Sequence, residues 1–219
     1  MNSNSFTEPE IFDTHKILHT PEVAEKLKKS TIGIAGLGGL GSNAAVSLAR
    51  AGIGKLILVD FDKVELSNLN RQAYFLEHVG MYKTHAIVDI INRINPFIEL
   101  IPVRTTITEK NCMQIFSSTD LVIEAVDEAE VKEMLIETIL TESKTLPIIA
   151  GSGMAGYGNN NIITEKKIGR LRLIGDDISE VKPSVPLMAP RVNLVSSMQA
   201  NAALEVLLGE FTILPGEWK

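Results

Sequence analysis

The sequence predicts an α/β fold: a Rossmann-like doubly wound sheet, mainly parallel in its N-terminal half, with antiparallel strands in its C-terminal half. Three observations carry that expectation. A glycine-rich turn, Gly36-Leu37-Gly38-Gly39-Leu40-Gly41, joins a short apolar run to a segment with helical apolar spacing. Apolar runs of strand length then alternate with amphipathic segments as far as residue 150. From Gly151 the pattern changes to glycines, asparagines and two further apolar stretches.

The elements follow in order. Within an N-terminal arm of residues 1–30, residues 21–29 read as a helix, with Ala24, Leu27 and Lys28 at helical spacing. Residues 31–36 form the first strand and 39–51 the next helix, with Leu40, Ala44, Ala45 and Leu48 on one face. In such a unit the first glycine makes the turn, the second lets a phosphate approach the backbone, and the third lets helix and strand pack closely. The phosphate then meets the unpaired N–H groups and positive dipole end of the helix. Residues 55–59 are the second strand, closed by Asp60, where a carboxylate can accept both hydroxyls of a ribose. Residues 83–94 make a helix with Ala86, Ile87, Ile90, Ile91 and Ile94 inward, stopped before Asn95-Pro96. A third strand at 97–103, a helix at 109–116, a fourth strand at 120–126, a helix at 129–140 and a fifth strand at 146–150 complete the parallel part. The stretches near Ile162 and Leu171 read as antiparallel strands extending the sheet. Residues 176–191, with Pro183, Pro186 and Pro190, form the longest segment without periodicity. A closing helix at 192–208 ends at Gly209.

A chain of 219 residues, 45% hydrophobic, can bury one substantial core and at most a small second lobe, so residues 31–219 are expected to form a single domain. One cysteine, Cys112, argues against a disulfide scaffold and fits a reducing compartment. The N-terminus is polar and acidic, and no run approaches the ~20 apolar residues of a membrane span. A cytoplasmic protein is expected. The net charge of -6 makes nucleic acid an unlikely partner. His15, His19, His78 and His85 lack metal-ligand spacing with other donors and read as surface or locally bonded residues.

The glycine turn and Asp60 indicate a nucleotide but do not choose among NAD, FAD and ATP. A redox domain usually needs only the acid at this point. This chain continues with Asp62, Asn68, Arg71 and Gln72, then Lys83. A cationic pair beside a nucleotide suits phosphoryl or nucleotidyl chemistry, because Arg presents a planar fork and Lys a point charge to phosphate oxygens. Topology adds Asp127. In the strand order 3-2-1-4 the first and fourth strands adjoin, so an acid just after the fourth faces the glycine turn. Capping of the helix that starts near Glu128 is the competing role for Asp127.

These residues resemble the ThiF/MoeB/HesA group of ubiquitin-activating-enzyme-like adenylyltransferases. The matching signature is the glycine turn, Asp60-Phe61-Asp62, Ser67-Asn68-Leu69-Asn70-Arg71-Gln72, Gly80 with Lys83, Ile94-Asn95-Pro96 and Asp127. Ser152-Gly153-Met154-Ala155-Gly156-Tyr157-Gly158 and Leu187-Met188-Ala189-Pro190-Arg191-Val192 bring the chain nearest to short bacterial ThiF-type proteins, which activate the sulfur carrier ThiS for thiamine synthesis. The resemblance implies ATP and Mg²⁺. It implies that Gly36, Gly38, Gly39 and Gly41 cradle the nucleotide, that Asp60 holds the ribose, with Asp62 in the same loop, and that Asn68, Arg71 and Gln72 serve the phosphates. Lys83 would act on the α-phosphate and Asp127 on the metal, while the crossover loop 176–191 would pass over the carrier tail. Gly151, Gly153, Ala155 and Gly156 would leave room for that tail, and Met154 and Met188 would line its channel. A homodimer is also implied.

Two departures stand out. The first arginine is Arg50, so the arginine that this group often carries in its N-terminal arm is absent, and Lys16, His15 or Lys28 would have to substitute. A single cysteine rules out a Cys₄ zinc site and a thiol stage in the crossover loop. The expected activity is ATP-dependent adenylation of the C-terminal glycine of a ThiS-like ubiquitin-like sulfur carrier. The alternatives are another acceptor (a molybdopterin-type carrier, a peptide carboxylate or a tRNA base) or a non-adenylating NAD(P)-binding protein.

Overall fold

In a computed structural model, which describes residues 6–209, the chain forms one seven-stranded sheet with helices on both faces. The outer ends of the expected arm and domain, residues 1–5 and 210–219, lie outside the described residues. Two helices come first, α1 (Glu8–His19) and α2 (Pro21–Lys29). The sequence pattern shows α2, which buries Ala24 and Leu27, and misses α1, none of whose residues is buried. Phe12 of α1 lies under the ammonium groups of Lys16 and Lys28, which ties the two helices together.

The parallel part contains β1 (Thr31–Ala35), α3 (Gly39–Ala51), β2 (Lys55–Val59), α4 (Lys83–Asn92), β3 (Glu99–Val103), α5 (Glu109–Phe116), β4 (Leu121–Glu124), α6 (Ala129–Glu142) and β5 (Ile148–Gly151). Strands three, four and five begin one or two residues later than the sequence suggests, a difference of the size usual at element ends. The sheet order is β3-β2-β1-β4-β5-β7-β6, so β1 and β4 adjoin as the switch-point argument requires. Pro102, which has no N–H to donate, is accommodated because β3 is an edge strand.

Alternation along the strands feeds two apolar layers. Ile32 and Ile34 of β1 join Leu40, Leu48, Ile87 and Ile91 on the face covered by α3, α4 and α7 (Ala189–Leu208). Ala35 and Val59 join Cys112, Phe116, Leu135 and Ile139 under α5 and α6. Long apolar strands buried on both faces are what a doubly wound sheet demands.

The C-terminal half corrects three expectations. Ile162 lies in a 3₁₀ turn, and the strand β6 follows it at Thr164–Ile168. Only β6 is antiparallel; β7 (Leu171–Gly175) inserts between β5 and β6 and runs parallel to β5. The β6–β7 hairpin puts its first strand at the sheet edge and returns its second beside β5, and strand periodicity carries no information about that order. The closing helix α7 starts at Ala189, three residues before the expected 192, with Pro190 in its first turn. A proline there has its missing N–H where none is needed and its φ already helical, so what reads as a loop residue starts the helix. No described helix is long and apolar enough to cross a membrane.

Candidate active site

The C-terminal ends of β1, β2, β4 and β5 frame a cleft of about 550 Å³. Its centre is the glycine turn. Gly36 has φ +90°, and a Cβ there would stand 2.6 Å from the Ala125 carbonyl oxygen after β4. A Cβ on Gly41 would stand 1.9 Å from the Gly36 carbonyl oxygen. Both glycines are therefore steric necessities of the turn itself. Gly38 differs: a Cβ there would meet only the Gln72 Nε2, at 3.9 Å, so its space belongs to the cleft. Gly38 is the N-cap of α3 and supplies no side-chain cap, which leaves the first-turn N–H groups facing a potential anion.

Asp60 is buried and already bonded. Its Oδ2 accepts the Leu37 N–H at 2.7 Å and its Oδ1 the Asp62 N–H at 2.8 Å. Each oxygen keeps one acceptor site. Lys83, only 8% exposed, donates to Asp62 Oδ2 at 2.8 Å and lies 3.7 Å from Asp60 Oδ2. This burial sets Lys83 apart from an ordinary solvated surface lysine. Tyr74, which the sequence reading missed, donates its hydroxyl to the Leu37 carbonyl at 2.8 Å, and burial, then Asp60, push its pKa well up.

The segment after the second strand converges on the same place. Asn68 spends its side-chain oxygen on the Glu65 N–H at 3.0 Å, which closes a short 3₁₀ turn and leaves its NH₂ as donor. Arg71 bonds the Asn70 side chain at 2.8 Å and the Ser67 carbonyl at 3.3 Å through Nη1 only. Asn43, also unrecognised in the sequence, holds the Arg71 carbonyl at 2.9 Å. Gln72 is buried, lines the cleft and has an orphaned Oε1, an acceptor that a bound hydroxyl or water would satisfy.

Asp127 lines the cleft opposite the glycine turn, is exposed and has no hydrogen-bond or ion-pair partner among the described residues. The N-cap of α6 is Glu128, without a side-chain cap, so the competing capping role of Asp127 is not seen. No group of three or more His, Cys, Asp or Glu among the described residues is placed to hold a metal ion. One carboxylate beside a phosphate-sized space suits Mg²⁺, which takes most of its oxygens from phosphates and water. Cys112 is fully buried on the inward face of α5, outside the cleft, and its thiol is pushed up to about 11 by burial and then by Glu142.

The far half of the cleft is lined by residues 151–155 together with Ser179, Val181 and Leu187 from the loop before α7. Two glycines among them line the cleft and are also required by packing. A Cβ on Gly151 would stand 2.6 Å from the Leu40 side chain, and one on Gly153 (φ +78°) 2.2 Å from Asp176 Oδ1. No side chain could replace those glycines without disturbing packing and turn geometry. Met154 lines the cleft, whereas Met188 lies outside it and is half exposed. Asp176 anchors the loop by accepting the Ser179 and Ile178 N–H groups and pairing with Arg191, both side chains being buried. Burial alone would raise the Asp176 carboxyl, but those hydrogen bonds outweigh it and bring it down to about 2. A last pair, Glu124 with Lys132, lies at the β4–β5 side of the cleft and carried no motif signal in the sequence.

The sequence profile of the ThiF family matches residues 14–217. Over 192 residues the chain is 33% identical to the molybdopterin-synthase adenylyltransferase of Escherichia coli (strain K12), an alignment covering 84% of this chain and 76% of that protein. Over 146 residues it is 37% identical to the tRNA threonylcarbamoyladenosine dehydratase of Bacillus subtilis (strain 168), covering 66% and 57%. Its fold matches the crystal structure of the E. coli tRNA N6-threonylcarbamoyladenosine dehydratase in complex with ATP, with a TM-score of 0.81 and 23% identity over 91% of this chain and 94% of that one.

Proposed function

The chain belongs to the ThiF family and is an enzyme of its adenylyltransferase class, and from that premise we propose that it adenylates the C-terminal glycine carboxylate of a small ubiquitin-like sulfur carrier, ThiS-like, with release of pyrophosphate. The observation that supports this most is the convergence of the glycine turn, Asp60, Arg71, Lys83 and Asp127 on one switch-point cleft whose other half is open to a second substrate. A redox use of the same fold would leave the cations without a task.

In this reading the free acceptor sites of Asp60 take the ribose hydroxyls, and Asn68, Arg71 and Gln72 donate to the phosphates. Lys83 exchanges Asp62 for the α-phosphate, so its charge is pre-positioned and its desolvation already met. A carboxylate oxygen of the carrier attacks the α-phosphorus while the bond from that phosphorus to the bridging oxygen breaks. The products are acyl-adenylate and pyrophosphate, and no proton need move. Mg²⁺ held by Asp127 would neutralise charge on the phosphates. The enzyme acts as a homodimer with one nucleotide site in each subunit.

The relationship to tRNA threonylcarbamoyladenosine dehydratase favours a second reading, adenylation of a carboxylate on tRNA. ATP–pyrophosphate exchange separates the two. Exchange stimulated by ThiS with a free Gly-Gly terminus supports the first reading, and exchange stimulated by a molybdopterin-type carrier alone keeps carrier adenylation but replaces ThiS as the acceptor. Exchange stimulated only by threonylcarbamoyl-modified tRNA overturns it in favour of the second, and NAD binding without exchange overturns both.

A further inference from the structure

A reaction between a triphosphate and a carboxylate brings two anions together, and a competent site must offset both charges. In this cleft Arg71 and Lys83 occupy the β1–β2 side: Arg71 lies against Gly39, and Lys83 on Asp60 and Asp62. Lys132 of α6 is a cleft cation on the opposite side. Its partner Glu124 ends β4, in register with Ala35 of β1 and Ala150 of β5, so the pair stands between the glycine turn and the β5 lining of the cleft that begins at Gly151.

The two members of the pair are placed differently. Glu124 is fully buried and fully engaged: one oxygen accepts the Val126 N–H at 2.8 Å, the other accepts from Lys132, and the Gly151 N–H adds a further bond. Its main-chain carbonyl takes the Gln199 side chain at 3.1 Å. Burial pushes the Glu124 carboxyl up, and Lys132 and the backbone N–H groups pull against that. Lys132 keeps 26% of its side chain exposed, lines the cleft and has Glu124 as its one ion-pair partner among the described residues. An ammonium has three donors, so donors remain for a second anion.

We propose that Lys132 receives the terminal carboxylate of the acceptor, held in place by Glu124. The inference rests on the carboxylate-acceptor reading above. A pair kept for stability alone gains little from one member opening on the cleft, because buried ion pairs barely repay their desolvation. A fixed ammonium there orients the attacking carboxylate and offsets its repulsion by the triphosphate.

Removing Lys132 alone would leave Glu124 buried and unpaired, so the test uses Lys132→Met/Glu124→Gln, which removes both charges. ThiS and a molybdopterin-type carrier are assayed for pyrophosphate release, each with a free terminal carboxylate and as the terminal carboxamide for binding. The paired variant is expected to keep its ATP affinity while its KM for the carrier rises about 10- to 100-fold, the scale of one hydrogen bond to a charged group. The wild type should bind the carboxylate form at least about 10-fold tighter than the carboxamide, a preference that disappears in the paired variant and survives in Lys132→Arg. An unchanged carrier KM in the variant, or lost ATP affinity with an unchanged carrier KM, overturns the proposal. Equal binding of carboxylate and carboxamide by the wild type overturns it without recourse to any variant. Failure of both carriers to release pyrophosphate with the wild type overturns the proposed function, and this inference with it.

Discussion

Lys83 shows how much one side chain's surroundings decide. A lysine in a surface helix is ordinarily solvated, but this one begins α4 buried against Asp62 and Asp60. Lys83→Ala and Arg71→Ala are each expected to lower pyrophosphate exchange by about 10²-fold, the scale of removing one preorganised charge from a transition state. A normal exchange rate in Lys83→Ala would refute its assignment. Asp60→Ala should act on ATP affinity, since a ribose contact is equal before and during transfer. It should also lower the melting temperature, because it orphans the Leu37 and Asp62 N–H groups. Cys112 lies at the other extreme. Buried, with its thiol pushed up to about 11, it has almost no thiolate at neutral pH. Cys112→Ser should adenylate the carrier near the wild-type rate, and mass spectrometry without reductant should find no carrier adduct.

At the scale of elements, the strand–turn–helix unit divides its glycines between folding and binding. Gly41→Ala must displace the Gly36 carbonyl, 1.9 Å from the new methyl. A melting temperature about 10 °C lower or worse is expected, as for other severe core clashes. Gly38→Ala has open space and should melt like the wild type while weakening ATP binding in a nucleotide titration. The loop before α7 is pinned by Asp176, whose folded-state pKa of about 2 lies below its ordinary value near 4. Its stabilisation is therefore complete above about pH 4 and fades as pH falls toward about 2. Asp176→Asn should flatten the loss of stability in that interval, read from denaturant midpoints at several pH values. An unaltered slope would show that the carboxylate contributes nothing there.

At the scale of the whole molecule, α1 and α2 add an arm to a sheet domain that already has both faces covered. Lys16 and Lys28, two of the candidates to replace the missing arm arginine, are paired with Asp13 and Glu8, and His15 lies against Gly52. None of the three lines its own chain's cleft. A homodimer is the expected assembly, with light scattering at micromolar concentration giving twice the mass of 23.9 kDa. A fully active monomer would count against it.

The nucleotide half was legible because its chemistry is local. Glycines at fixed offsets, an acid closing β2 and a cation-bearing segment after it are neighbours in sequence, and the 3.6 and 2.0 residue periods place them on a strand, turn and helix. Asp127 was reachable through topology, since right-handed crossovers leave few strand orders. What only the tertiary structure decided are contacts between distant segments: Glu124 with Lys132 and Gln199, Asp176 with Arg191, Asn43 with the Arg71 carbonyl, and the insertion of β7 beside β5. Each joins residues whose types are common and whose spacing carries no period. Their meaning comes from burial, which strips water from a charge and makes its one partner matter, and burial is a property of the folded chain.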